Sequence, residues 1–201
     1  MISILPLVFT AILDYQNRPD DLEKALMATA PNYMTPEKAR IHVSAAIAAE
    51  TPEVPADLLL SMAYSESRYN PLTVSRVSRG KRKTGIPKWK TPPEWVSGPY
   101  FCGVTQVAAK HSWKRCLEFR DINLAYRTAV HEISEWQKSC RKNKEIMKCT
   151  LWGYGGGYPA IKNKTSTYPT RVLSRARRIS DKVKQYQQER IGVRKPEKGS
   201  S

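Results

Sequence analysis

Two prolines bracket a helix in the stretch Pro55–Ser75, PADLLLSMAYSESRYNPLTVS, and that helix carries a carboxylate on its apolar side. Pro55 suits a first helical position, where the missing N–H costs nothing, and Asp57 then falls in the first turn, where negative charge is favoured. Asn70-Pro71 ends the helix, because the residue before a proline is pushed out of the α region. Leu59, Met62, Ala63 and Glu66 lie at i, i+3, i+4 and i+7, so Glu66 shares the face that a folded core buries. Burial disfavours the charged carboxylate, which then holds its proton to higher pH, as a general acid must. A Glu that pairs with Arg68 or turns outward at a frayed helix end fits the same spacing.

The run from Ser65 to Ser75, SESRYNPLTVS, resembles the first motif of the soluble lytic transglycosylase domain, a branch of the goose-lysozyme-like superfamily, written E-S-x-F/Y-N-P-x-A-x-S. Glu66, Ser67, Tyr69, Asn70, Pro71 and Ser75 match, and Thr73 stands where the family prefers Ala. Downstream, Gly103-Val104-Thr105-Gln106 is similar to the family's G-L-M-Q and Tyr154-Gly155-Gly156-Gly157 to its Y-N-A-G. Tyr168, followed by Arg171 and Val172, is similar to its later Tyr-Val segment. The motifs occur in the family's order between Thr35 and Ile179.

The resemblance implies a mainly α, lysozyme-like fold with little or no β-sheet, acting on peptidoglycan glycan strands without metal or cofactor. Glu66 would protonate the β-1,4 glycosidic oxygen between N-acetylmuramic acid and N-acetylglucosamine, then turn base and draw the muramic C6 hydroxyl onto C1. Ser67, Ser75, Gln106, Tyr154 and Tyr168 would contact substrate, Gln106 through an amide that both donates and accepts. Most glycosidases add a second carboxylate, but Glu94, Glu118 and Asp121 lack motif support, in keeping with a mechanism in which the substrate's own N-acetyl group assists. Two departures stand out: Tyr100-Phe101-Cys102 replaces the usual Gly-Ala-x, and Gly155 replaces Asn. Goose-type lysozymes hydrolyse the same bond, which leaves hydrolysis as one alternative and a catalytically inactive basic wall- or nucleic-acid-binding module as another.

The 201 residues suit one core with tails. Residues 1–34 read as an apolar segment and lead-in, 35–180 as the main domain with a basic insertion at 76–97, and 181–201 as a helix end and tail. Met1–Leu13 is too short to span a bilayer, and no Lys or Arg precedes it as in an export signal. It is either a segment docked on the core or a degenerate export signal or anchor. Thr35-Pro36-Glu37 is a helix start, continued at helical period by Ala39, Val43, Ala46, Ile47 and Glu50. This helix and the Glu66 helix form a hairpin around Thr51–Val54. Ile122, Ala125, Tyr126, Ala129, Ile133, Trp136 and Cys140 trace a further core helix, and Val172, Ala176, Ile179, Val183 and Tyr186 another.

A formal charge of +16 calls for a polyanionic partner: nucleic acid, anionic lipid or acidic cell wall. No nucleic-acid-binding motif stands out, so nucleic acid is not the primary expectation. Between Arg76 and Lys90 lie seven Lys or Arg and no acidic residue, broken by Gly80, Gly85 and Pro87, which reads as an exposed loop. That loop is either a solvated spacer or a cationic arm with Trp89 or Trp95 stacking on sugars. Trp152–Tyr158, with three consecutive glycines, reads as backbone free to approach a ligand. Cys102, Cys116, Cys140 and Cys149 allow three pairings, of which Cys140–Cys149 is the most local; free thiols and, with His111 and His131, a zinc site remain open. Disulfides would place the protein in an oxidising compartment, and the weak export features suit either an envelope enzyme or a phage lysin or virion component.

Overall fold

The computed structural model describes residues 5–78, 81–86, 99–164 and 166–190, so Trp89, Glu94, Trp95 and the tail beyond Arg190 lie outside the described residues. The fold is mainly α. Helices α1 (Leu5–Thr29), α2 (Pro36–Ala49) and α3 (Ala56–Ser67) are followed by strands β1 (Val74–Ser78), β2 (Lys81–Gly85), β3 (Tyr100–Cys102) and β4 (Val107–Lys110). Helices α4 (Trp113–Glu118), α5 (Ile122–Cys140), α6 (Ile146–Asn163) and α7 (Tyr168–Arg190) complete it.

Helix α3 is the hub, packed against α2, α5 and α7. Its Leu58, Leu59, Leu60, Met62 and Ala63 are all buried, as expected of a helix that is apolar around most of its circumference. The link before it is a tight turn closed by the Thr51–Val54 bridge. Glu50 serves both sides of that turn. Its carboxylate takes Arg18 of α1 on two oxygens at 2.6 and 2.7 Å and accepts the first N–H of α3, from Ala56, at 3.1 Å. Thr35 caps α2 by accepting from the Lys38 N–H, and Asp121 caps α5 by accepting from Asn123 and Leu124.

The core runs through the boundary drawn at residue 35. Leu22, Ala25, Leu26, Ala30 and Met34 are buried in it, and α1 lies along α2 and α7. At the far end of α7, Arg190 donates to the fully buried Asp21. The residues read as a lead-in and a helix end are thus built into one hydrophobic core. Among the described residues no helix is long and apolar enough to cross a membrane.

The sheet is small, in keeping with an expectation of little β-structure, but it corrects the expectation of a loop at residues 76–78 and 81–85, the other residues of that loop up to Lys90, save Ile86, lying outside the described residues. It has four antiparallel strands in the order β2-β1-β3-β4, with Val74 opposite Gly85 on one side and Cys102 on the other. Lys81, Arg82 and Lys83 conceal a strand because β2 is an edge among the described residues, where charge discourages pairing with another chain. Tyr100-Phe101-Cys102, irregular against the motif, is the strand that joins β1 to β4.

Both disulfides form, Cys102–Cys116 and Cys140–Cys149, so neither free thiols nor a zinc site that uses Cys102 and Cys116 survives. The first ties β3 to α4; the second ties the end of α5 to the first turn of α6.

Candidate active site

Glu66 sits half-buried in the last turn of α3, and the chain turns sharply directly after it. Arg68 and Tyr69 both take left-handed backbone, with φ of 56° and 62°. For residues with a Cβ this conformation costs on the order of 1 kcal/mol each, and it persists only where neighbours over-determine it. Here they do: Tyr69 is fully buried, the Asn70 N–H reaches Ser67 Oγ at 3.1 Å, and Asn70 Oδ1 accepts from the Leu72 N–H at 2.9 Å.

The predicted motifs meet at this corner. Ser67 Oγ donates to Val104 O at 2.8 Å, Ser75 Oγ donates to Gln106 Oε1 at 2.6 Å, and Tyr154 Oη donates to Thr105 O at 2.6 Å. The Gly103–Gln106 turn is therefore held by α3, β1 and α6 together. Thr105 adds a fourth tie by donating to Ala125 O of α5 at 3.1 Å. Gly103, at φ +76°, has no room for a side chain, since a Cβ would stand 2.2 Å from Phe119 O.

This geometry gives several expected ligand contacts a structural task. Gln106 is buried, and its amide nitrogen donates to Thr73 O at 2.8 Å and to Gly103 O at 2.9 Å. Both amide hydrogens are thus engaged within the protein, and Gln106 braces the turn. Ser67 and Ser75 are buried as well, within the same bracing network. Tyr168 opens α7 with its ring against Gly155, where an added Cβ would lie 3.0 Å from Tyr168 Cδ1. A side chain at 155 would therefore press on the Tyr168 ring.

The glycine-rich run corrects the expectation of free backbone. Trp152–Gly156 lie in α6, which breaks only at Gly157, where φ is +67°. The small residues serve close packing: a Cβ on Gly153 would fall 2.4 Å from the Trp136 ring of α5.

Two carboxylates act on Tyr154. Burial raises its phenol well above the ordinary value, the negative charges of Glu132 and then Glu66 add to this, and the bond to Thr105 opposes it. Tyr154 therefore keeps its proton at working pH and acts as a fixed donor. Glu132 is the residue the sequence reading passed over. It projects from α5, accepts from the Ala108 N–H of β4 at 3.1 Å, and is raised from the usual carboxylate value by burial, with Ala108, His131 and Arg115 opposing. Its signal is the same as that of Glu66: three residues after Ala129 and seven after Ala125, it shares the apolar stripe of α5.

The corner thus assembles a carboxyl group at a helix end, a phenol that feels its charge, and a second carboxyl group whose pKa burial raises. Such a set can deliver a proton to a leaving oxygen and take one back. Among the described residues no three His, Cys, Asp or Glu side chains gather as a metal site would need. No protein-family model, curated protein or solved structure matches the chain.

Proposed function

We propose that the protein is a peptidoglycan lytic transglycosylase with a lysozyme-like core, cleaving the β-1,4 bond between N-acetylmuramic acid and N-acetylglucosamine. One observation carries the reading. Motifs that are similar to those of the transglycosylase domain, distant in sequence, are hydrogen-bonded to one turn, and the Glu66 charge reaches Tyr154 within that cluster.

In the proposed reaction Glu66 gives its proton to the glycosidic oxygen as the C1–O bond breaks. The substrate's N-acetyl group shields the developing positive charge at C1. Glu66, now a carboxylate, removes the proton of the muramic C6 hydroxyl, whose oxygen bonds to C1 and closes the 1,6-anhydro ring. The proton returns to Glu66, and no water is consumed. The positive charge of the chain suits the acidic wall, and the two disulfides suit an oxidising envelope compartment, reached by export or as a phage lysin or virion component.

Glu132 favours a second reading. A carboxylate that can activate water would make the protein a hydrolase of the same bond. Digestion of purified peptidoglycan in ¹⁸O-labelled water separates the two. Anhydro-muropeptides without label support the lyase, whereas reducing ends carrying ¹⁸O convert it to a lysozyme-type enzyme. Wall binding without any product would leave an inactive binding module.

A further inference from the structure

A second functional feature lies on the other flank of α3. Tyr64, Ser65 and Arg68 of α3 face Thr170, Arg171, Ser174, Arg175 and Arg178 of α7 across a cleft of about 400 Å³. At 100° per residue, Glu66 points well away from the face that carries positions 61, 64 and 65, and Arg68 follows as the helix's left-handed cap. Position 61 fixes that face against α7, because Ser61 Oγ donates to Val172 O at 2.6 Å. The cleft is therefore separate from the Glu66 corner.

Its charge is all of one sign. Among the described residues no carboxylate pairs with Arg68, Arg171, Arg175 or Arg178. Two of these guanidiniums crowd one aromatic ring: Arg175 stands 3.3 Å and Arg68 4.2 Å from the Tyr64 ring centroid. Arg175 spends one N–H on Thr29 O at 3.3 Å. Burial makes its cationic form harder to hold, Tyr64 and Tyr69 oppose this, and the Arg178 charge adds to it. Among the described residues four cations converge without an anion, so like-charge repulsion accumulates until an anion enters.

We propose that this cleft is a binding site for a phosphate group carried on a larger molecule. A carboxylate offers two oxygens, enough for one guanidinium fork, whereas a phosphate presents three or four and satisfies several forks at once. The hydroxyls of Thr170 and Ser174 supply neutral donors on the same stripe of α7, and Thr170 lies in its first turn, where the helix dipole favours negative charge. The cleft volume exceeds a bare phosphate several-fold, which leaves room for the ester to which the group is attached.

Titration calorimetry at constant ionic strength tests this with inorganic phosphate, methyl phosphate, dimethyl phosphate and acetate. Phosphate and methyl phosphate are expected to bind about tenfold or more tightly than acetate, and dimethyl phosphate reports whether a diester is accepted. Arg171 and Arg178 are exposed, so the double variant Arg171→Gln/Arg178→Gln folds, and it is expected to weaken phosphate about tenfold or more. The control Lys142→Gln/Lys144→Gln removes the same charge from an exposed segment elsewhere and is expected to stay within about twofold. Equal weakening in both variants, acetate binding as tightly as phosphate, or no phosphate binding by the wild type would overturn the proposal. None of these outcomes depends on whether the protein cleaves peptidoglycan.

Discussion

His42 makes the stability of this fold depend on mildly acidic pH. The ring is fully buried in α2, its Nδ1 3.1 Å from Tyr126 Oη and its centroid 5.1 Å from that of the Tyr69 ring. Burial lowers its pKa from 6.5 to about 4, the Lys38 charge adds to this, and a main-chain hydrogen bond at Tyr69 opposes it. A depressed folded-state value means that the unfolded chain takes up the proton first as pH falls. The stability that rests on neutral His42 is complete above the unfolded value of 6.5, declines below it, and stops declining below about 4. The whole shift corresponds to about 3 kcal/mol, of which about 2 kcal/mol is lost between about pH 7 and about pH 5, before unfolded carboxylates titrate appreciably. Urea denaturation across that interval reads the loss directly, and His42→Leu is expected to flatten the slope whatever its own baseline stability. A wild-type midpoint that does not move between those pH values, or an equal slope in His42→Leu, would refute the reasoning.

Gln106→Leu removes three buried hydrogen bonds, those to Thr73 O and Gly103 O and the one from Ser75 Oγ, at about 1 kcal/mol each, so it is expected to cost about 3 kcal/mol in denaturant unfolding; a near-neutral change would return Gln106 to a ligand-facing role. Gly153→Ala drives a methyl into the Trp136 ring and is expected to lower stability by about 1–3 kcal/mol, seen as a lower Tm, whereas an unchanged Tm would show that α5 and α6 separate freely there. Glu132→Gln is expected to keep turnover within about tenfold of wild type if the substrate's N-acetyl group assists; a fall of about a hundredfold or more would assign Glu132 the base role of a hydrolase.

The helices were legible where period and caps agreed. Thr35-Pro36 and Pro55 mark the starts of α2 and α3 through local backbone sterics, Pro55 as the cap and not the first helical residue; α3 ends at Ser67, ahead of Asn70-Pro71, on the left-handed Arg68 and Tyr69 that their neighbours hold. Ala125, Tyr126, Ala129, Ile133 and Cys140 of one stripe and Val172, Ala176 and Ile179 of another are buried as their spacing requires, while Ile122, Trp136, Val183 and Tyr186 are half-buried. The β1–β2 hairpin was hidden, since an edge strand is recognised by what pairs with its backbone and its Lys and Arg side chains read as loop. Gly153 and Gly155 were hidden in the other sense: their smallness answers to Trp136 and Tyr168, residues known to be neighbours only after folding. Glu66 was singled out in the sequence and Glu132 was not, although both stand on an apolar stripe, because the α5 stripe was read only for its apolar members. The joining of Ser67, Ser75 and Tyr154 to one turn is tertiary information that no spacing carries.

The central claim is that Glu66 is the acid that breaks the glycosidic bond. Its most direct test is release of soluble muropeptides from purified sacculi by wild type and by Glu66→Gln, with matched circular dichroism and Tm showing both folded. The account predicts release by wild type and loss of about a hundredfold or more in the variant. Equal release by the two folded proteins would contradict it.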